Sequence, residues 1–165
     1  MGIKGLTAST TLASTSGAGL KVLVIHTRWN LSIVDTLTAA TVAKLIELGV
    51  ASSDITIKQV PGAYELPFAA QALLKTGAYD AAIAIGVLIK GDTMHFEYIA
   101  DASTQGLMRV GLDAKLPVIF GILTCLSEEQ ALLRAGLGGP DGKSGHNHGA
   151  DWGVAAVEMA LLNKL

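Results

Sequence analysis

Four short apolar runs alternate with longer segments of helical periodicity, and this alternation limits the chain to few folds. The runs predict strands at residues 21–27, 55–60, 81–89 and 117–124. Alternating strands and helices form a parallel sheet with right-handed crossovers and helices on both faces. The sequence therefore predicts a three-layer α/β sandwich around a four-stranded parallel sheet, with the run at 81–89 as a central strand because it is apolar on both faces.

The predicted helices lie between and after these strands. Apolar residues recur every three or four positions from Ser32 to Leu48, and Gly49 ends this helix. Pro67 falls in the first turn of the second helix, where a missing N–H has no cost. This second helix is predicted from Tyr64 to Lys75 and a third from His95 to Gly111. Ser127, with Glu128 and Glu129, caps a fourth helix, and the last is predicted from Ala150 to Leu162.

The composition favours a protein with a large subunit interface. Charged residues are 16% of the 165 residues and the net charge is −2, whereas about 25% charged is usual. So low a charged fraction leaves more apolar surface than a lone domain of this size buries. No basic block offers a footprint for nucleic acid, and no apolar run approaches the ~20 residues of a membrane span.

The cysteine content and the first residues indicate a cytoplasmic protein. Cys125 is the single cysteine, and its apolar neighbours predict a buried packing thiol. The first 20 residues are small and hydroxylated, without the apolar core of a secretory signal or the arginines of a transit peptide. We therefore expect a flexible arm at 1–20 and a single domain at 21–165.

Residues suited to ligand binding follow the predicted strands, and ligands of such sheets bind beyond the carboxyl ends of the strands. Trp29 is either a packing aromatic or a plate for a flat ring, with Asn30 offering amide groups to the ring's edge. Glu65 either caps a helix or accepts hydrogen bonds from a ligand. The segments expected at the carboxyl ends are 27–30, 59–65, 87–95 and 120–125.

The segment "GVLIKGDTMHFEYIAD" has the densest set of ionisable and hydroxyl groups. Gly91, Asp92 and Thr93 precede a helix and present backbone N–H groups at its positive end, which suits phosphate, although the charge of Asp92 opposes an anion. His95, one turn inside, is either a surface residue or a group that transfers protons near neutral pH. Arg134 is either solvated or pairs with phosphate.

The glycine-rich loop "GLGGPDGKSGHNHG" raises the question of a metal. His146, His148 and Asp151 are ligand types, but a complete site needs three or four ligands at a recognisable spacing. No further ligand cluster follows them in the sequence, so we expect no metal site. The absence of the GxxxxGK[ST] motif, and of GxGxxG after the first strand, also gives no support for a bound nucleotide.

Five segments together resemble the 6,7-dimethyl-8-ribityllumazine synthase family of riboflavin biosynthesis, and the tryptophan with "GHNHG" resembles its fungal branch. They lie in family order between residues 27 and 160: "TRWN", "VPGAYELPFAAQ", "GVLIKGDTMHFEYIAD", "PVIFGILTCLSEEQALLRAG" and "GHNHGADWGVAAVEMA". The resemblance implies a flavodoxin-like subunit that condenses 5-amino-6-(D-ribitylamino)uracil with 3,4-dihydroxy-2-butanone 4-phosphate. Phosphate and water are released, and no metal or redox cofactor takes part.

The resemblance also implies residue roles and a site shared between adjacent subunits, with His95 as the acid–base group. The residues implied for the pyrimidine and ribityl chain are Trp29, Asn30, Ala63, Tyr64, Glu65, Leu88 and Ile89. Gly91, Asp92 and Thr93 are implied to bind phosphate, and the neighbouring subunit is implied to supply Phe120, Arg134 and His148.

The chain departs from the family pattern at two positions and carries one insertion. Asp92 stands where relatives often have a small residue, and His148 replaces a lysine, so a constant positive charge becomes pH-dependent. The insertion "GLGGPDGKSG" accompanies free pentamers in this family, so we expect a homopentamer rather than a sixty-subunit shell. Other functions stay open: a non-catalytic protein that stacks riboflavin on Trp29, the related archaeal-type riboflavin synthase, which uses two lumazines, and a metal hydrolase using His146, His148 and Asp151.

Overall fold

The computed structural model describes residues 16–165 and contains one four-stranded parallel sheet. Its strands, in the spatial order β2–β1–β3–β4, are β1 (Val22–Thr27), β2 (Ile55–Val60), β3 (Ala81–Ile89) and β4 (Val118–Cys125). The predicted bounds of β2 and β3 are confirmed, and β1 and β4 begin one residue later than predicted. The α/β prediction is therefore confirmed, with β3 in the interior of the sheet.

Within the described residues, five α-helices connect and follow the strands. They are α1 (Leu31–Glu47), α2 (Leu66–Leu74), α3 (His95–Ala114), α4 (Glu128–Arg134) and α5 (Gly149–Leu162). Gly49 follows α1 with φ 95°, the left-handed backbone that glycine adopts readily. The Ser127 hydroxyl accepts a hydrogen bond from the Gln130 N–H (3.3 Å) and caps α4. Helix α3 extends three residues beyond the predicted end.

Alternate residues of the inner strands enter two separate cores. Val22 and Val24 of β1 pack with residues of α1 and α5, whereas Leu23 and Ile25 pack with α2 and α3. All four side chains are fully buried, because strand side chains point to opposite faces in turn. The helices therefore cover both faces of the sheet and leave its carboxyl edge to the loops.

The residues just before β1 already contact the domain. The Gly17 N–H donates to the Leu48 carbonyl (2.6 Å), and Leu20 is buried. The rest of the expected arm, residues 1–15, lies outside the described residues. Cys125 is buried among apolar side chains, as predicted. Within residues 16–165, no helix is both long and apolar enough to cross a membrane.

Large apolar side chains remain exposed on the helices. Phe68 of α2, Leu112 of α3 and Leu162 of α5 are each more than half exposed. A groove of about 500 Å³ between α3, α5 and the start of β4 is lined by such residues, including Met108 and Met159. This groove lies at the amino end of β4, away from the carboxyl edge where the candidate site was predicted.

Candidate active site

The loop after β1 presents Trp29 at the carboxyl edge of the sheet. The Arg28 N–H donates to the carbonyls of Val60 (3.0 Å) and Pro61 (3.3 Å), which holds this loop against the end of β2. Trp29 is 74% exposed, so it does not belong to the core. A Cβ added to Gly62 would lie 3.3 Å from Trp29 Cδ1, so the indole edge rests closely on this glycine.

Asn30 links the first loop to the central strand. Its backbone is left-handed (φ 57°, ψ 41°), a conformation that asparagine tolerates better than most residues. Its side-chain Nδ2 donates to the Val87 carbonyl near the end of β3 (2.8 Å). One amide N–H is therefore used within the protein, and the Oδ1 oxygen has no hydrogen-bond partner among residues 16–165.

The turn after β2 is organised by Glu65. Its Oε2 accepts a hydrogen bond from the Gly62 N–H (2.8 Å), which is the capping role considered for this residue. The Ala63 carbonyl accepts a hydrogen bond from the Ser103 hydroxyl of α3 (3.1 Å), so the buried Ala63 is fixed between two elements. Tyr64 is exposed between them.

The predicted phosphate cradle is the loop between β3 and α3. Gly91, Asp92 and Thr93 are all exposed, and a Cβ at Gly91 would meet no atom within 4 Å. His95 is the first residue of α3, not a residue one turn inside the helix, and its N–H lies 3.4 Å from Thr93 Oγ1. The loop is therefore open to solvent at the N-terminus of a 20-residue helix.

An ion pair that the sequence analysis missed spans this cradle. Lys90, directly before the loop, pairs with Glu97 in the first turn of α3, and its ammonium lies 5.7 Å from the centre of the Phe96 ring. The Lys90 N–H also donates to the Cys125 carbonyl (2.9 Å). The sequence offered one signal for this pair, a lysine directly before the loop and a glutamate in the first turn of the helix after it. The pair joins the two ends of the cradle.

Leu88 and Ile89 lie half-buried at the end of β3, where Ile89 pairs with Cys125 of β4. Phe120 was expected at the carboxyl end of β4, and this expectation is wrong. It is the third residue of that strand, opposite Ala84, and is 39% exposed. The run at 117–124 is apolar up to Thr124, so its sequence did not reveal where Phe120 lies along the sheet.

A second polar group lies between α4 and α5. Arg134, at the end of α4, is exposed, and its carbonyl accepts a hydrogen bond from the His148 N–H (3.0 Å). His148 Nδ1 lies 3.4 Å from Asp151 Oδ2, and His146 Nε2 lies 2.7 Å from the same oxygen. Burial lowers the pKa of His148; Asp151 opposes this shift, while His146 and Arg134 add to it.

Comparisons with known proteins assign the chain to a family. A model of the 6,7-dimethyl-8-ribityllumazine synthase family matches residues 19–164. The chain is 53% identical to the 6,7-dimethyl-8-ribityllumazine synthase of Schizosaccharomyces pombe over 161 residues, which are 97% of this chain and 96% of the relative. The chain belongs to this family. It is also 44% identical to the enzyme of the same name from Pyricularia oryzae, over an alignment that covers 90% of each chain.

This member of the lumazine synthase family thus has two groups of candidate residues. The first combines an exposed indole, the Gly62–Glu65 turn and the Gly91–Thr93 loop along the carboxyl edge of β1, β2 and β3. The second contains Arg134 and His148. Among residues 16–165, no hydrogen bond or ion pair connects the second group to the first. A flat aromatic ring and an anion both fit the first group chemically.

Proposed function

We propose that the chain is a transferase that condenses 5-amino-6-(D-ribitylamino)uracil with 3,4-dihydroxy-2-butanone 4-phosphate to 6,7-dimethyl-8-ribityllumazine. The observation that carries this proposal is the position of the exposed Trp29 and the Gly91–Thr93 loop on the same edge of the sheet. One provides a face for a planar ring, and the other provides free N–H groups for a phosphate. The names of the two relatives support the same reaction.

The pyrimidine binds along the ends of β1, β2 and β3. Trp29 stacks on the ring, and Asn30 and Glu65 exchange hydrogen bonds with its edge and with the ribityl hydroxyls. Backbone groups at Ala63, Tyr64, Leu88 and Ile89 complete this pocket. The Asn30–Val87 hydrogen bond supports the assignment, because it holds the loop that carries Trp29 at a fixed distance from β3.

The second substrate places its phosphate at Gly91, Asp92 and Thr93. The positive end of the long helix α3 stabilises the anion, and the Lys90–Glu97 pair holds the loop in position. The Asp92 side chain points away from the phosphate, while its backbone N–H contributes to the cradle.

His95 moves protons during imine formation, phosphate elimination and the ring closure that loses water. These steps form bonds between the two substrates and expel phosphate and water with proton transfers but without a net oxidation or reduction, so we propose that no metal or redox cofactor takes part. Much of the rate enhancement comes from holding the two reactants together.

The site is completed by a neighbouring subunit that supplies Phe120, Arg134 and His148. Among residues 16–165 of one chain, no hydrogen bond joins Arg134 or His148 to the first group, which agrees with this division. The exposed apolar side chains of α2, α3 and α5 support a large interface between subunits.

We further propose a homopentamer located in the cytoplasm, with riboflavin binding by stacking on Trp29. Residues 21–165 form the domain, and Gly17 and Leu20, which precede it, contact it.

A mixing assay of the two substrates tests the reaction. The absorbance of the lumazine and the released phosphate are followed together, with an enzyme-free control and the His95→Ala variant. Equal amounts of both products, formed faster than in the control, are expected from the wild-type protein. No increase over the control from a well-folded oligomer would contradict the proposal and favour a non-catalytic flavin-binding protein.

A further inference from the structure

We propose that His146, His148 and Asp151 form a binding site for a divalent cation of the zinc class. The expectation of no metal site relied on spacing along the chain, but the fold brings the three side chains together. One potential ligand atom from each residue lies within 4.8 Å of the other two. Ligands of a tetrahedral zinc ion at bond lengths of about 2.0–2.1 Å are about 3.3 Å apart. The separation of His148 Nδ1 and Asp151 Oδ2, 3.4 Å, already has this value.

The backbone that carries the two histidines is fixed on both sides. The His146 N–H donates to the Leu133 carbonyl (2.9 Å), and the His148 N–H donates to the Arg134 carbonyl (3.0 Å). Between them, the Asn147 side chain accepts from the Gly149 N–H (2.9 Å) and donates to the Thr36 carbonyl (3.3 Å). A cation therefore meets ligands on an ordered segment, and only side-chain rotation is needed to bind it.

The ligand types select the class of cation. Two imidazoles and one carboxylate suit zinc and its neighbours in the first transition series, whereas calcium and magnesium prefer sites made only of oxygen. The three side chains are between 41% and 63% exposed, so solvent has access to a fourth position. Three protein ligands with an open fourth position are a common zinc arrangement.

Cation binding has a consequence that depends on the proposed function. There, His148 reaches the site of a neighbouring subunit in the position of a lysine. A cation on Nδ1 holds this ring against His146 and Asp151, so the ring is no longer free to turn to the substrate of the neighbouring subunit. Zinc is therefore expected to inhibit the condensation, because it fixes the His148 ring with two residues, His146 and Asp151, that have no proposed role in the reaction.

Zinc binding is tested on metal-free protein without a histidine tag. Calorimetric titration with ZnCl₂ is expected to give one ion per chain, and Co²⁺ is expected to show the visible absorption of a tetrahedral complex. His146→Gln weakens zinc binding by about tenfold or more, because removal of a ligand costs at least as much as removal of its supporting partners. Asp141→Asn, an exposed change in the same loop, leaves it unchanged.

Three outcomes would overturn the inference. One is a dissociation constant above about 1 mM, which corresponds to only about 4 kcal/mol of binding free energy. Another is equal zinc affinity in the wild type and a correctly folded His146→Gln variant. The third concerns inhibition: bound zinc that leaves turnover unchanged contradicts the inhibitory role. The titrations need no turnover, so they stand even if the proposed reaction fails.

Discussion

Substitutions at Asn30 separate two contributions to stability that meet in one residue. Its backbone is left-handed, with φ 57°, and its side chain donates to the Val87 carbonyl over 2.8 Å. Asn30→Gly removes the hydrogen bond but keeps a residue that accepts this backbone conformation. Asn30→Ala removes the same hydrogen bond and also places an alanine Cβ in a left-handed conformation.

The expected magnitudes follow from these two terms. A hydrogen bond of this kind contributes about 1 kcal/mol to the free energy of unfolding. The left-handed conformation costs alanine, which lacks the short polar side chain that lets asparagine tolerate it, roughly 1–2 kcal/mol. We therefore expect Asn30→Gly to lower the free energy of unfolding by about 1 kcal/mol and Asn30→Ala by about 2–3 kcal/mol. The greater freedom of glycine in the unfolded chain narrows this difference slightly.

Urea unfolding followed by circular dichroism measures the three proteins at one protein concentration, because an oligomer's stability depends on concentration. The alanine variant is expected to be the least stable. Equal stability of the alanine and glycine variants would refute the left-handed backbone at this position. A glycine variant as stable as the wild type would refute a contribution from the Asn30–Val87 hydrogen bond.

Three further predictions concern activity, binding and pH. His95→Ala is expected to lower kcat on the order of 10²-fold with an unchanged oligomer by size-exclusion chromatography, because a proton-transfer group is lost. Trp29→Ala is expected to abolish the quenching of riboflavin's own fluorescence by the protein while changing stability by less than about 0.5 kcal/mol, since the indole is 74% exposed. Burial raises the pKa of Cys125 from 9.0, although Arg134 opposes the shift. Between pH 9.0 and the raised pKa, only the unfolded state loses the thiol proton, so the free energy of unfolding falls as the pH rises. Urea unfolding of Cys125→Ala should show a shallower fall over the same pH range.

Each of these predictions has a clear contrary result. Loss of the oligomer in His95→Ala would make this histidine structural. Replacement of Trp152 is the matched control for quenching. This ring packs on Gly121, where an added Cβ would lie 3.1 Å from it, so its replacement is expected to leave quenching unchanged. Retained quenching after Trp29→Ala would move the riboflavin site elsewhere. The same alkaline slope with and without Cys125 would refute the raised thiol pKa.

The sequence was most informative where burial alone decides structure. The run at 81–89 is apolar on both faces, and a strand with these properties belongs in the interior of a parallel sheet. The end of α3 was less predictable, because the residues after Gly111 are helix-compatible and the helix ends only where Lys115 takes φ 52°. Local patterns state which segments form elements but mark their ends poorly.

Contacts between distant residues account for what was missed at the site. The Asn30 side chain bonds a carbonyl 57 residues away, and no local pattern encodes this contact. The Lys90–Glu97 pair forms because the cradle folds back between a strand end and a helix start. His146 and Asp151 meet because a glycine-rich loop leads directly into α5. In each case the residue types were visible in the sequence, and the geometry was not.

The central claim is one site for condensation, assembled from the carboxyl edge of one subunit and from Arg134 of the next. The most direct test is the turnover of oligomers co-expressed from equal amounts of the His95→Ala and Arg134→Ala chains. With random mixing, about one quarter of the interfaces combine an intact His95 with an intact Arg134, so about one quarter of wild-type turnover is predicted. Turnover equal to the mean of the two variants measured separately would contradict a shared site.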